Sequence, residues 1–167
     1  ESEAENDALW ALSDMHPIIK GVVGWLDLCH PGIEERIAHY ASHSAFKGVR
    51  MLIHDHPDLQ FAASISHRRG VGLLDKYGLS YDLLLKPPHL PAATALVEAL
   101  PGTRFVIDHI AKPRLSQGWD EEWASGMAEI ARRENVWCKL SGMLTEADWD
   151  DWQAAPYVRY LDFVLEN

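Results

Sequence analysis

Long apolar runs are missing from this sequence. The longest candidates, such as Leu83-Leu84-Leu85, are strand-sized, far short of the roughly 18–20 residues a membrane helix needs. No membrane partner is therefore expected. Cysteine is equally scarce: Cys29 and Cys138 stand far apart, without C-x-x-C spacing, and both follow apolar, strand-like residues. Two reduced, partly buried thiols in a cytoplasmic protein are the expectation, not a disulfide framework. Basic charge is in deficit, with 15 Lys and Arg against 25 Asp and Glu and a formal net charge of -10. That balance argues against a nucleic-acid partner, which needs a clustered basic track. Arg68-Arg69 and Arg132-Arg133 are isolated pairs. The opening Glu1-Ser2-Glu3-Ala4-Glu5 has neither the basic nor the apolar region of a signal peptide. An initiator Met is absent too, which reads as a chain taken from, or processed out of, a longer frame.

What the sequence does have is an alternation of two periods. Five short segments read as strands apolar on both faces: 21–28 (GVVGWLDL), 46–53 (FKGVRMLI), 80–86 (SYDLLLK), 103–110 (TRFVIDHI) and 136–142 (VWCKLSG). Helical patterns lie between them. Residues 120–133 place Trp123, Met127 and Ile130 on one face, with acids in the first turn and Arg132-Arg133 in the last. The 91–100 segment opens on Pro91 and is stopped by Pro101-Gly102. Residues 33–43 and 59–77 are further helical stretches, the second expected to break near Gly70-Val71-Gly72. Thr145 to Asp148 resembles a capping box with Asp in place of Glu. An opening helix over 3–15 and a closing one over 156–165 flank the set.

Strand, helix, strand in repetition makes a parallel sheet with right-handed crossovers. An open doubly wound sheet usually carries a Gly-rich phosphate turn after its first strand; here Gly21-Val-Val-Gly24 opens a strand instead. Polar residues gather at the C-terminal ends of different strands: Asp27, Arg50, Lys86, His109, Lys139 and Ser141. That distribution favours a (β/α)8 barrel, whose site is built at one face. The expected fold class is α/β, one incomplete TIM-barrel domain over 1–167 with about five parallel strands. A whole barrel takes eight strands and about 250 residues.

His109 closes the strand Phe105-Val106-Ile107-Asp108. Counting by twos puts Phe105, Ile107 and His109 on one face; if that face is inward, His109 sits at the mouth of the barrel. There an imidazole can ligate a metal, polarise a carbonyl or stabilise an oxyanion, or simply hydrogen-bond a neighbouring carbonyl. His54-Asp55-His56 offers two histidines two apart, a metal-like pattern if still on a strand; Pro57 points to a loop, where one or neither is functional. Arg50, Asp82 and Lys139 are charges within buried strands, so each needs a partner or an anionic ligand. Mutual pairing is one solution; Arg50 on a substrate carboxylate is the other. Ser141-Gly142 supplies a hydroxyl and a close backbone approach, or a plain turn. Trp123, Trp149 and Trp152 read as helix-to-barrel packing.

At these residues the chain resembles the amidohydrolase-related proteins of the sugar-lactonase and dicarboxylate-lactonase branch. The motifs are Gly21-VVGWLDL, Phe46-KGVR, Tyr81-DLLLKPPHLP, Phe105-VIDHIAKP and Trp137-CKLSGMLTEADW, in family order over nearly the whole chain. The resemblance implies a (β/α)8 hydrolase that opens sugar-acid or ring-cleavage lactones with activated water. It makes the five strands the family's third to seventh and matches His109 to the histidine of the I-D-H motif. Arg50 matches the strand-four arginine. It implies His109 as catalytic residue, or as ligand of a divalent, zinc-like metal, and leaves a metal-independent mechanism equally open. Arg50, His54, Lys139 and Ser141 are the substrate-binding candidates, with a small-molecule lactone as partner and a homo-oligomer of the whole protein allowed. The family's first-strand H-x-H and last-strand Asp motif do not occur here. This stretch by itself is therefore expected to be inactive. A metal-dependent decarboxylase or amide hydrolase of the same superfamily, and a non-catalytic incomplete barrel, are the alternatives.

Overall fold

A computed structural model describes residues 2–150 and 153–167; Trp152, expected among the packing tryptophans, lies outside the described residues. Five strands form one sheet: β1 (Val22–Gly24), β2 (Phe46–Leu52), β3 (Ser80–Leu84), β4 (Arg104–Ile107) and β5 (Val136–Cys138). Six α-helices accompany them: α1 (Glu3–Met15), α2 (Ile33–Ala41), α3 (Ile65–Leu74), α4 (Leu90–Ala99), α5 (Glu121–Ile130) and α6 (Ala154–Glu166). The strand order is β1-β2-β3-β4-β5, every neighbouring pair parallel. Right-handed crossovers that always step the same way put α2 to α5 on one side of the sheet. A doubly wound sheet would reverse direction once, and this one does not. The sheet is a singly wound arc, the arrangement that a (β/α)8 barrel repeats around its circle.

Register sorts the strand residues into two faces. Val49, Tyr81, Phe105 and Val136 are at one level; Arg50, Asp82, Val106 and Trp137 are at the next. Successive residues point to opposite faces. Tyr81 hydrogen-bonds His67 of α3 at 2.8 Å, so the first set faces the helices. There Val49, Tyr81, Leu83, Phe105 and Ile107 join a continuous buried core. The alternation in β4 holds, with Phe105 and Ile107 on one face and Val106 on the other, but the condition that the first face points inward is not met: Phe105 and Ile107 face the helices, and Val106 faces the opposite, interior side. That side is open. Val23, Leu52 and Trp137 remain exposed, although their spacing makes them interior residues.

Several boundaries differ from the expectation. β1 stops at Gly24 because the Trp25 backbone is taken by a side chain: Asn6 of α1 accepts from Trp25 N at 2.8 Å and donates to its carbonyl at 2.7 Å. The 59–77 stretch does not break at Gly70. It breaks earlier, before Ile65, and α3 runs through both glycines. A Cβ at Gly70 would lie 2.0 Å from the Leu28 carbonyl oxygen, so glycine there serves close packing. Thr145 caps no helix; it lies within a 3-10 turn over Met143–Glu146, its hydroxyl donating to Gly142 O at 2.7 Å. Asp120 caps α5, accepting from Trp123 N at 3.0 Å, with the Arg114 guanidinium on both its oxygens. Burial raises that carboxyl, but the Arg114 and backbone hydrogen bonds hold it below its ordinary value.

Trp123 is fully buried and packs with Trp119, Tyr160 and Phe163. Trp149, by contrast, is 77% exposed, contrary to its expected packing role. Both cysteines are free, and burial pushes the Cys138 thiol up to about 11. Among the described residues no helix is long and apolar enough to cross a membrane.

Candidate active site

Strands β2 to β5 and the turns that follow them bring together Arg50, Asp82, Asp108 and Lys139 in one ion-pair cluster, and His109 and Ser141, which follow Asp108 and Lys139 in the chain, in a hydrogen-bonded pair. Asp108 is fully buried and meets Arg50 Nη1 at 3.3 Å with one oxygen and Lys139 Nζ at 2.6 Å with the other. Lys139 Nζ also reaches the buried Asp82 at 2.5 Å. Two cations thus meet two carboxylates and the cluster is neutral. Burial pushes the Asp82 carboxyl above its ordinary range, even with Lys139 upon it. Lys139 is itself disfavoured by burial, yet the hydrogen bonds to Asp108 and Asp82 raise it net. Arg50 and Lys139 are satisfied internally, while each side chain stays about two-fifths exposed.

Lys139→Met is expected to cost about 3 kcal/mol at neutral pH, because two buried carboxylates lose a shared cation. Without Lys139, Asp82 is held still further above its unfolded value. A carboxyl raised in the folded state destabilises most above its folded pKa, and the penalty fades as pH falls toward the unfolded value. Urea unfolding of both proteins at neutral and mildly acidic pH checks this. A cost that does not shrink in acid would contradict it.

His109 leaves the strand altogether. β4 ends at Ile107, and a 3-10 turn follows over Asp108–Ala111. His109 (φ 54°, ψ 43°) and Ile110 (φ 46°, ψ 34°) are left-handed, as are Ala111 (φ 57°) and Lys112 (φ 47°). Left-handed backbone costs an L-residue roughly 1–2 kcal/mol, and a β-branched residue such as Ile is an outlier there. The surroundings hold it in place. Ile110 N donates to Lys139 O at 3.1 Å, Trp123 Nε1 donates to Ile110 O at 2.6 Å, and Ile110 and Ala111 are fully buried. Strain of this kind persists only where packing over-determines it, and it concentrates at functional sites.

The turn brings the His109 ring to the loop after β5, where Nδ1 lies 2.9 Å from Ser141 Oγ. Gly142 (φ 71°) backs the same edge of the ring; a Cβ there would fall 2.6 Å from His109 Cβ and 2.8 Å from Nδ1. Nε2 points away from that loop.

A second group lies after β2, β3 and β4. His54 Nε2 is 3.0 Å from Asp55, Lys86 Nζ is 3.6 Å from the other Asp55 oxygen, and Lys112 Nζ is 2.5 Å from Glu146. Burial lowers the His54 pKa, Lys86 and Lys112 add to this, and Asp55 opposes it. His54-Asp55 falls in a 3-10 turn over Ile53–Asp55, and His56 is oriented toward Asp58, not toward His54. The pair is therefore not a strand-face metal motif.

Among the described residues no three His, Cys, Asp or Glu side chains converge to hold a metal. His109 alone supplies one nitrogen, so an ion here would need donors from outside these residues. Sequence reasoning passed over Asp108, the carboxylate that Arg50 and Lys139 share, although two buried cations required two buried anions.

The amidohydrolase family model matches residues 2–167. An L-fucono-1,5-lactonase of Burkholderia ambifaria is 37% identical over 143 residues, covering 84% of this chain and 49% of that protein. An L-fucono-1,5-lactonase of Burkholderia multivorans is 32% identical over 155 residues, covering 89% and 52%. The chain therefore spans about half the length of these curated relatives. Among solved structures, a zinc-bound amidohydrolase from Burkholderia multivorans superposes with a TM-score of 0.91 at 31% identity, over 99% of this chain and 60% of that one. A probable 2-pyrone-4,6-dicarboxylic acid hydrolase of Acinetobacter baumannii, with citric acid bound, has a TM-score of 0.75 at 14% identity, over 96% of this chain and 58% of that one, a likeness of fold alone.

Proposed function

This chain belongs to the amidohydrolase family, and on that premise we propose that it carries part of the active site of a hydrolase that opens a sugar-acid lactone. The observation behind this reading is the strained left-handed turn that holds His109 at the C-terminal end of the sheet. The L-fucono-1,5-lactonases at 37% and 32% identity supply the substrate class.

In lactone hydrolysis water adds to the ring carbonyl, the ring C–O bond breaks, and the former ring oxygen leaves as a protonated hydroxyl. Negative charge gathers on the carbonyl oxygen at the addition step, and a fixed donor there lowers the barrier. His109 Nε2, on the ring edge away from the β5 loop, is that donor. Arg50 and Lys139 already answer their carboxylates, and their spare N–H groups contact the sugar hydroxyls. His54 contributes from the end of β2. Among the described residues no three metal-binding side chains converge at this site, and the one nitrogen that His109 offers does not make a metal site, so no step is routed through a metal.

The test is an assay of the full reading frame against L-fucono-1,5-lactone, other sugar-acid lactones and 2-pyrone-4,6-dicarboxylate. Turnover of one or more sugar lactones is expected. A folded protein that opens only the pyrone, or none of the panel, would overturn the reading.

A further inference from the structure

We infer that Ser141 is a positioning residue: its hydroxyl donates to His109 Nδ1 and so fixes the imidazole as the tautomer that carries its proton on Nε2. The inference rests on the proposed role of His109 as a carbonyl-polarising donor.

A neutral imidazole has one N–H and one bare nitrogen, and the partner of one nitrogen decides which is which. A serine hydroxyl can satisfy Nδ1 either way, by donating or by accepting. If it accepts, Nε2 is a bare lone pair, suited to ligating an ion or taking a proton, and cannot polarise a carbonyl. If it donates, Nε2–H is the group presented to substrate. The role therefore selects the direction of the 2.9 Å bond.

The loop is built to hold this arrangement. Ser141 N donates to Lys139 O at 3.0 Å, and the same carbonyl accepts from Ile110 N at 3.1 Å. One carbonyl thus ties the serine to the left-handed turn that carries the histidine. Gly142, with no side chain, lets the loop lie directly on the Cβ, Cγ and Nδ1 of the ring. Ser141 is on the surface side of that contact and outside the buried core, so replacing it removes a hydroxyl and little packing.

Nitrogen-15 NMR of the histidine side chains reads the tautomer directly, with no need for turnover. In the full-length protein His109 is expected to show a non-protonated Nδ1 and a protonated Nε2. Ser141→Ala should give a mixture of tautomers and a fall in kcat of about tenfold, as for loss of one oriented hydrogen bond, with little change in KM. Ser141→Thr, which keeps the hydroxyl, should restore both. A wild-type His109 protonated on Nδ1 would overturn the inference. So would Ser141→Ala with an unchanged tautomer and unchanged kcat. If the protonated-Nε2 tautomer is present and Ser141-dependent but no sugar lactone is hydrolysed, the substrate assignment fails while the positioning role stands.

Discussion

Replacing His109 by Asn is expected to leave the protein folded and to slow sugar-lactone hydrolysis by about 10²–10³-fold, the usual cost of removing one oxyanion donor. Asn is the variant of choice because of the backbone. His109 has φ 54° and ψ 43°, and Asn accepts left-handed backbone more readily than other non-glycine residues. The turn over Asp108–Ala111 is therefore kept while the imidazole is lost. Alanine would confuse the two, because it adds backbone strain to the missing ring. The measurement is kcat and KM on the best lactone of the panel, beside urea unfolding to show equal stability. The loss should fall on kcat, because the donor acts on charge that develops only in the transition state. A variant with normal kcat would remove His109 from the chemistry, however conspicuous its position.

Gly142→Ala is the second large effect, and it needs no change to any polar group. At φ 71° a Cβ costs about 1–2 kcal/mol in backbone strain alone. It would also lie 2.6 Å from His109 Cβ and 2.7 Å from Cγ, atoms next to the backbone that cannot swing aside. The ring must move, the turn must shift, or the loop after β5 must lift. A displacement of about 1 Å can cost about 10²-fold in rate, and that is the expected loss. Gly78→Ala is the control. Gly78 has nearly the same φ, 66°, with nothing within 4 Å of its Cβ. It should lose comparable stability in urea unfolding and no activity. Equal activity losses in the two variants would show that strain, not the His109 contact, is responsible.

Much of the fold was legible because strand and helix leave different periods in the sequence. All five strands fell within expected segments, and α5 lies within its expected range with Asp120 as its cap. Two of the errors share a cause: at each, a contact from a distant element overrode the local pattern. Asn6 ended β1 by taking the Trp25 backbone, and the Leu28 carbonyl explained Gly70 inside an unbroken α3. Whether Phe105 and Ile107 face the interior was left as a condition, because alternation gives two faces without saying which one the helices cover. Tyr81 bonded to His67 shows which.

The site divides in the same way. Residue types and order pointed to His109, Arg50, Lys139 and Ser141 at strand ends, and burial of charge required that Arg50 and Lys139 have partners. Those statements need only the sequence, since period and the cost of isolated charge are properties of the chain itself. Which partners they take, Asp108 and Asp82, depends on parallel register between strands. The left-handed turn at His109–Lys112 has no local signature, since none of its four residues is glycine. It exists because Lys139 O and Trp123 Nε1 hold Ile110 where its own preferences would not, and only the tertiary structure could put His109 Nδ1 against Ser141.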